Sequence, residues 1–360
     1  MHCRNCKSSD LLKKKFNFDF YTYKNFNKIS EYQTYIECKK CKIIYSNRVS
    51  FLKKLYKKIF SKDYLGLKFK DLELIPKFNS KSIYHHFFVG ELKKKNNIKI
   101  LDYGNSSIIQ LKDYSNFFYN SKIYFYDITV KKDFFFYNNK TKTTCILTNN
   151  LKKIDQKIDL IISFNSLQYY LNYKSFFKFI KKISYLKTKM YVVTPSIDKN
   201  KYFLLLGDEY FKFSKIGLTN FLQKNLNKKT KFINRKYLSS SNFVLIDFSK
   251  KKISKKLYKS SKLNMIDKFL KHKSQQINKL KLKKKTFIFG TRVNSFFISK
   301  YINNSTELID DQENKSLRKY KLLDDISNKN ISILIPYTGI KYEMIKKILI
   351  KKKFKNFFQA

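Results

Sequence analysis

The sequence has very little glycine, proline or tryptophan: 7 Gly, 3 Pro and no Trp in 360 residues. Arginine is also scarce, since only five of the 78 basic residues are Arg. Lys, Asn, Ile, Phe and Tyr are abundant instead. An excess of the second group of residue types together with a shortage of the first is typical of a biased genomic base composition. We therefore do not infer a function from the unusual composition itself.

A second shortage is of negative charge, because 26 acidic residues face 78 basic ones and the formal net charge is +52. A field of that size attracts nucleic acid or an anionic membrane surface. A surface shaped for phosphate is expected to use the bidentate Arg fork, which is scarce here. The Lys residues are also spread along the whole chain. Charge alone therefore does not predict a nucleic-acid partner.

The sequence also lacks long apolar runs. No stretch approaches the roughly 18 consecutive apolar residues that a membrane-spanning helix needs. The first ten residues, MHCRNCKSSD, have no apolar centre of the kind found in secretory signals. A hydrophobic content of 43% is enough to fill cores. We expect a soluble, cytoplasmic protein with no membrane span and with two or three domains.

Four of the five cysteines form two Cys-x2-Cys pairs, namely Cys3 with Cys6 and Cys38 with Cys41. A gap of two residues lets both thiolates of a pair reach one tetrahedral zinc ion. Four Cys ligands leave no open position on the metal, which is typical of a structural site. The sequence therefore predicts an N-terminal zinc module, and we expect Cys145 to be a buried strand residue.

From about residue 80, helical segments alternate with short apolar strands. This alternation predicts parallel strands joined by crossover helices, that is, a doubly wound α/β domain. A second, smaller α/β unit is predicted to begin at 286–290. The strands predicted for the first unit are 98–103, 122–127, 145–148, 158–164, 190–195 and 243–249.

The loop after the first of these strands has features of a cofactor loop. In the segment ILDYGNSSIIQL (100–111), Gly104 follows the strand where nucleotide-binding α/β domains have a tight glycine turn. The next two expected glycine positions hold Ser106 and Ile108 instead. A β-branched residue disfavours positive φ and adds bulk. The loop by itself is therefore weak evidence for a cofactor.

Two further strand ends carry polar side chains. Asp127 closes the second strand, 25 residues after Asp102, and a carboxylate at that position can bind ribose hydroxyls. Capping of the following turn explains Asp127 equally well. Asn165 follows the fourth strand and begins a polar loop.

Taken in order, these features resemble the three-part sugar C-methyltransferases that use S-adenosylmethionine. Members of this family have a four-cysteine zinc domain, a class I methyltransferase domain and a C-terminal α/β domain. The resemblance covers nearly the whole chain and implies domains at 1–75, 76–250 and 251–360. The matching segments are ILDYGNSSIIQL, IDLIISFNSLQYY, KMYVVTPSID, GDEYFKFSKIGLTNFL, TFIFGTRVNSFFISKYI and LIDDQENKSLRKY.

The resemblance also implies roles for individual residues. Asp127 would bind the ribose hydroxyls, and Asn165 would line the pocket near the sulfonium. Glu209 and Tyr210 lie where the family has the residue that removes a proton beside a sugar ketone, so that the enolate attacks the methyl group. The remaining cofactor loop residues would be Asp102, Gly104, Asn105 and Ser106, and the zinc ligands Cys3, Cys6, Cys38 and Cys41.

Two alternatives remain open at this stage. The eroded glycine loop and the missing family histidine fit a degenerate methyltransferase fold that serves as a binding or scaffold protein. An RNA methyltransferase that binds RNA through the zinc module and the Lys-rich surface is the less favoured alternative. The enzyme hypothesis implies a nucleotide-linked keto-deoxysugar as the acceptor. His85 and His86 could also reach the cleft, although exposed helix positions explain them more simply.

Overall fold

A computed structural model provides the fold. Several predicted positions lie outside the residues that it describes, namely Asn105, Ser106, His85 and His86. The described residues are 1–22, 28–61, 87, 96–104, 108–155, 157–235, 238, 240–251, 261–279, 286–290, 293–302, 306–310, 320–337 and 339–359.

The chain divides into two compact units. The first comprises Met1–Lys13, Ile36–Asn200 and Glu209–Ser260. The second comprises Lys14–Tyr35, Lys201–Asp208 and Ser261–Ala360. Each unit is thus assembled from three separate stretches of sequence.

The N-terminal residues form short strands followed by one helix. The strands β1, β4 and β5 join a later strand, β12 (Phe211–Lys212), in a four-stranded sheet of order β1-β4-β5-β12, whereas β2 pairs with β3. Helix α1 begins at Val49. The elements are β1 (Leu11–Phe16), β2 (Phe20–Tyr21), β3 (Lys28–Ser30), β4 (Gln33–Cys38), β5 (Ile44–Ser46) and α1 (Val49–Ser61).

An eight-stranded sheet dominates the first unit. In the described part of this unit, three helices accompany the sheet: α2 (Ile108–Phe117), α3 (Tyr173–Ile183) and α4 (Lys215–Leu226). The sheet strands are β6 (Lys99–Tyr103), β7 (Lys122–Tyr126), β8 (Phe134–Asn138), β9 (Thr143–Thr148), β10 (Leu160–Phe164), β11 (Lys189–Pro195), β13 (Lys228–Phe232) and β14 (Ser241–Lys251). Their spatial order is β13-β14-β11-β10-β6-β7-β9-β8.

The strand directions define the fold. The five central strands from β11 to β9 are parallel, and β14 lies antiparallel between β11 and β13. The order from β13 to β9, with β14 inserted antiparallel next to the edge strand, is the class I methyltransferase arrangement, as predicted, and β8 adds an antiparallel strand at the other edge. The antiparallel direction of β14 has a simple cause. Only eight residues separate β13 from β14, fewer than the dozen or so that a parallel crossover requires.

All six strands predicted for this sheet are present, and two more were not predicted. The segment of β13, KKTKF, is rich in Lys and gives no apolar pattern, as is usual for an edge strand. At the opposite edge, β8 buries alternate residues only in part and leaves Phe135 and Tyr137 exposed. Edge position explains why neither strand carries the buried-strand pattern.

Apolar side chains cover both faces of this sheet, as expected when crossover helices flank parallel strands. Ile161 and Met190 pack on one face with aromatic residues of α3, and Ile162 and Val193 pack on the other. Cys145 is fully buried in β9, as predicted. The continuous apolar runs of the central strands are thus explained by burial on two sides.

The second unit contains a five-stranded parallel sheet of order β17-β16-β15-β18-β19. Phe297 stacks near Phe18 and Tyr202, so the N-terminal and central segments of this unit share its core. The elements are α5 (Lys262–Asn278), β15 (Thr286–Phe289), α6 (Val293–Lys300), β16 (Thr306–Asp310), β17 (Lys321–Leu322), β18 (Ser332–Ile335), α7 (Gly339–Lys351) and β19 (Asn356–Gln359).

Within the described part of the chain, no helix has the length and apolarity that crossing a membrane would require.

The left-handed residue at the C-terminal end of helix α4 gives a testable prediction about stability. Its C-cap, Asn227, has φ 57° and ψ 34°, and its N–H donates to the Gln223 carbonyl at 2.9 Å. Glycine adopts this left-handed conformation without penalty, whereas an ordinary side chain pays about 1–2 kcal/mol. We expect Asn227→Ala to lower the free energy of unfolding by about 1 kcal/mol. Urea unfolding of both variants checks this, and Asn227→Gly should be as stable as the parent or more so.

Candidate functional site

The four cysteines of the two Cys-x2-Cys pairs form one cluster. All four Sγ atoms lie within 4.8 Å of one another. The Sγ atoms of Cys3 and Cys41 are 3.6 Å apart, and those of Cys6 and Cys38 are 3.5 Å apart. Tetrahedral zinc with Zn–S bonds of about 2.3 Å requires Sγ separations of about 3.8 Å. The thiol set therefore fits a closed, four-coordinate zinc site.

The two cysteine pairs have the same backbone turn. In the sequences CRNCK and CKKCK, the residue after the second cysteine is left-handed, with φ 65° at Lys7 and 58° at Lys42. The N–H of each of these lysines donates to the carbonyl of the first cysteine, at 3.0 and 2.7 Å. Each turn thereby points two thiols to the same side, which is the geometry that metal binding needs.

The candidate cofactor residues lie at the carboxyl ends of three neighbouring strands. Pairing of Tyr103 with Tyr126 places Gly104 beside Asp127, and pairing of Ile162 with Asp102 brings Asn165 to the same edge. The carboxyl ends of parallel strands are where open α/β sheets bind their ligands. The structure thus brings Gly104, Asp127 and Asn165 together.

The first strand ends in a left-handed turn. Gly104 has φ +86°, and its N–H donates to the Tyr126 carbonyl at 2.7 Å. A Cβ at this position would lie 2.4 Å from Ser166 Cβ and 2.8 Å from the Tyr170 hydroxyl. The missing side chain therefore makes room for the protein's own Ser166 and Tyr170. These two side chains also bond to the Tyr103 carbonyl.

Asp102 has an internal partner. The carboxylate is fully buried, and its Oδ2 accepts a hydrogen bond of 2.5 Å from the Tyr114 hydroxyl on α2. This bond ties the first strand to the helix that follows the loop.

Asp127 combines a turn with an open carboxylate oxygen. Its Oδ1 accepts bonds from the Thr129 N–H at 2.8 Å and the Thr129 hydroxyl at 2.6 Å. Among the described residues, Oδ2 has no hydrogen-bond partner. Burial raises the pKa of this carboxyl, and the bonds from Thr129 oppose the rise. Asp127 therefore caps the turn, and its binding of ribose hydroxyls stays a prediction.

Asn165 occupies a left-handed backbone position. Its φ is +52°, its N–H donates to the Val193 carbonyl at 2.8 Å, and its own carbonyl accepts from the Gln168 side chain at 2.9 Å. Its side-chain amide bonds to no described residue, so it is open to a ligand. The donor and acceptor set at this edge fits the ribose and methionine ends of S-adenosylmethionine.

Glu209 forms an ion pair inside the first unit. Its Oε2 lies 2.6 Å from the Nζ of Lys212, and both side chains are essentially inaccessible to solvent. Its Oε1 has no hydrogen-bond partner among the described residues. Desolvation raises the pKa of the Glu209 carboxyl, while Lys212 acts in the opposite direction. The structure thus presents a buried carboxylate with one oxygen paired with Lys212 and the other buried without a partner among the described residues.

Tyr210 makes its contacts with the zinc module. Its hydroxyl accepts a hydrogen bond of 2.9 Å from Arg4 Nη1, and its ring is fully buried beside Tyr45. Burial raises the pKa of Tyr210. Since the hydroxyl is already bonded to Arg4, a structural role accounts for it.

Sequence analysis did not identify Lys212, Arg4 or Tyr170 as site residues. A signal existed for Lys212, because GDEYFKF places an acidic and a basic residue three apart in an apolar segment. Arg4 and Tyr170 contact residues far away in the chain, at Tyr210 and Tyr103. Their contacts depend on tertiary structure, so no local pattern indicates them.

No protein-family model matches the chain, and no curated protein sequence matches it. Solved structures of several methyltransferases are similar to parts of it. A methyltransferase dependent on S-adenosylmethionine, from Aquifex aeolicus, is 13% identical over 55% of this chain and 96% of its own, with a TM-score of 0.34. The 1,6-didemethyltoxoflavin N1-methyltransferase of Burkholderia thailandensis, solved with S-adenosylhomocysteine, is 10% identical over 49% and 78%, with a TM-score of 0.32.

The mitomycin 7-O-methyltransferase MmcR is 11% identical over 42% of this chain, with a TM-score of 0.32, and only 49% of its own length is covered. Three other matched structures are likewise covered over about half of their length, between 49% and 51%. At these identities and TM-scores, the likenesses do not decide what this chain binds. The strand order itself defines the fold.

Removal of one thiol tests the metal site. We expect wild-type protein to hold one zinc per chain and Cys38→Ser to lose it, because a hydroxyl is a poor replacement for a thiolate ligand. Zinc released by a thiol-modifying reagent, measured with a chromogenic chelator, gives the stoichiometry. Cys145→Ala, which removes the thiol outside the cluster, should keep one zinc. Full zinc content in Cys38→Ser would contradict the assignment.

The buried ion pair gives a second test. Lys212→Met leaves the buried Glu209 carboxylate without its partner, which costs about 3–5 kcal/mol of stability. The double variant Glu209→Gln/Lys212→Met removes both charges and should recover most of that loss. Urea unfolding of the two single variants and the double completes the cycle. Additive losses would show that the two charges do not interact.

Proposed function

We propose that this chain is an S-adenosylmethionine-dependent methyltransferase that methylates a carbon of a nucleotide-linked keto-deoxysugar. The observation that carries the proposal is the open Oδ2 of Asp127, beside Gly104 and Asn165 at the carboxyl edge of a class I sheet. The sugar acceptor rests on the sequence resemblance and on the four-cysteine cluster that the family also has.

In this proposal Asp127 holds the ribose and Asn165 lies near the methionine end of the cofactor. The cofactor supplies an electrophilic methyl group when bound. The zinc-binding cysteines have a structural role, because a four-thiolate site leaves no position for substrate. The sequence resemblance also assigns Asn105 and Ser106 to cofactor binding, and both lie outside the described residues.

We assign proton removal to Glu209 in preference to Tyr210. The Glu209 carboxylate has one buried oxygen without a hydrogen-bond partner among the described residues, and its raised pKa makes it a stronger base than an exposed carboxylate. The Tyr210 hydroxyl is bonded to Arg4. Lys212 keeps the second oxygen of Glu209 in place. The base thus takes the proton from the carbon beside the ketone, and the resulting enolate is the nucleophile.

Calorimetric titration with S-adenosylmethionine and with its demethylated product tests the cofactor site. We expect micromolar binding in the wild type and a loss of at least about tenfold in Asp127→Asn, because a carboxylate accepts from both ribose hydroxyls more strongly than an amide does. The matched control is Asp133→Asn, whose acid is paired with Lys153 and should bind as the wild type does.

Asp127→Asn also has an expected effect on stability. Because burial raises the folded-state pKa of Asp127, its contribution to stability is present below the ordinary pKa of 3.8 and is lost as pH rises through the folded-state value. At pH 7 Asp127→Asn should therefore unfold at higher urea than the wild type, with the advantage disappearing below pH 4.

If the wild type binds neither S-adenosylmethionine nor its demethylated product in the titration, the scaffold alternative replaces the enzyme proposal, and binding to protein and RNA partners is measured next.

A further inference from the structure

The segment that carries Glu209 and Lys212 is hydrogen-bonded to the zinc module. Strand β12 pairs with β5, with Phe211 opposite Tyr45 and Lys212 opposite Ile44. The Ser46 N–H donates to the Tyr210 carbonyl at 2.8 Å. Since β5 begins three residues after Cys41, β12 belongs to the same sheet as the strands of the four-cysteine module.

Arg4 provides a second connection. It lies between Cys3 and Cys6, in the turn that would be fixed by a bound metal. Its Nη1 donates to the Tyr210 hydroxyl at 2.9 Å, and its guanidinium lies 5.8 Å from the centre of the Tyr210 ring. Its carbonyl accepts a hydrogen bond from the Tyr173 hydroxyl on α3. Arg4 therefore forms hydrogen bonds to residues outside the first cysteine pair through both its side chain and its backbone carbonyl.

The second cysteine pair is held to α4 in a similar way. The Asn220 side chain donates to the Cys41 carbonyl at 3.1 Å. A Cβ at Gly217 would lie only 2.5 Å from the Lys42 carbonyl, so the helix and the turn are in close contact. The Asn225 side chain of the same helix also donates to Asn5 Oδ1 at 3.0 Å, so both cysteine turns contact α4.

These contacts converge on Glu209. Tyr210 follows it directly, and Lys212, its ion-pair partner, is held in register by Ile44. The Tyr210 N–H also donates to the Gln168 carbonyl at 2.9 Å, which connects the segment to the loop after β10. A change in the first cysteine turn would therefore be transmitted through Arg4 to the residue next to the proposed base.

We infer that the four-cysteine module is a positioning element for the acceptor site, and that Arg4 is the positioning residue that connects the metal-held turn to Tyr210 and hence to the Glu209–Lys212 pair. A bound metal fixes the Cys3–Cys6 turn, Arg4 fixes Tyr210, and β5 fixes Lys212. This inference rests on the proposed function for the role of Glu209. The physical connection itself does not depend on the identity of the substrate.

Amide hydrogen exchange of the full-length protein, followed by mass spectrometry, tests the connection without a substrate. Removing zinc with a chelator should speed exchange in 43–46 and 209–213 by about tenfold or more, while exchange in β6 and β7 stays unchanged. Equal protection of 209–213 with and without zinc overturns the inference.

Two variants separate Arg4 from the metal itself. Arg4→Gln and Tyr210→Phe each break the same hydrogen bond, so zinc-loaded samples of both should show faster exchange in 209–213 with one zinc retained. The double variant should exchange no faster than either single variant, because the two changes remove one shared interaction. Lys40→Gln is the matched control, since it removes an exposed charge from the other cysteine turn. Wild-type protection in zinc-loaded Arg4→Gln overturns the role of Arg4.

A conservative variant and a kinetic readout distinguish positioning from general stability. Arg4→Lys keeps a cationic donor and should restore part of the protection. In turnover with a nucleotide-linked keto-deoxysugar, Arg4→Gln should lower kcat several-fold and leave the affinity for S-adenosylmethionine unchanged. Equal loss of kcat and of cofactor affinity would overturn the positioning role. Absence of cofactor binding in the wild type contradicts the proposed function only, because the exchange experiment gives its result without cofactor.

Discussion

Parallel pairing of β6 with β7 and β10 is the constraint on which the rest of the candidate site depends. Parallel strands end at the same edge of a sheet, and the observed register brings Gly104, Asp127 and Asn165 to that edge although they are far apart in sequence. The adjoining backbone has two left-handed positions, at Gly104 and Asn165. The backbone therefore turns at Gly104 and at Asn165, at the carboxyl edge of the sheet.

The second half of the candidate site is built from the zinc module. Glu209 and Lys212 form a buried ion pair, and buried charges are stable only when paired. Their segment pairs with β5, and Tyr210 between them is bonded to Arg4. The four-cysteine cluster and the Glu209–Lys212 pair thus belong to one connected set of contacts.

The strands of the large sheet were predictable because burial on both faces leaves a continuous apolar run. Edge strands β8 and β13 were not predicted, since each has one side that packs poorly or faces solvent. Asp127 was identified as a strand-end acid, but sequence alone could not decide between a ribose ligand and a turn cap. The structure shows that one carboxylate serves the turn with Oδ1 and keeps Oδ2 open.

By itself, the sequence determined the two cysteine pairs, the alternation of helices and strands, and the polar residues at strand ends. These are local properties, because ligand spacing and hydrophobic periodicity are set by neighbouring residues. Tertiary structure alone decided the contact of Tyr210 with Arg4 and the packing of Ser166 and Tyr170 against Gly104. Most of those contacts join residues tens to hundreds of positions apart. Their geometry follows from the register of strands and the closure of loops, which no short stretch of sequence encodes.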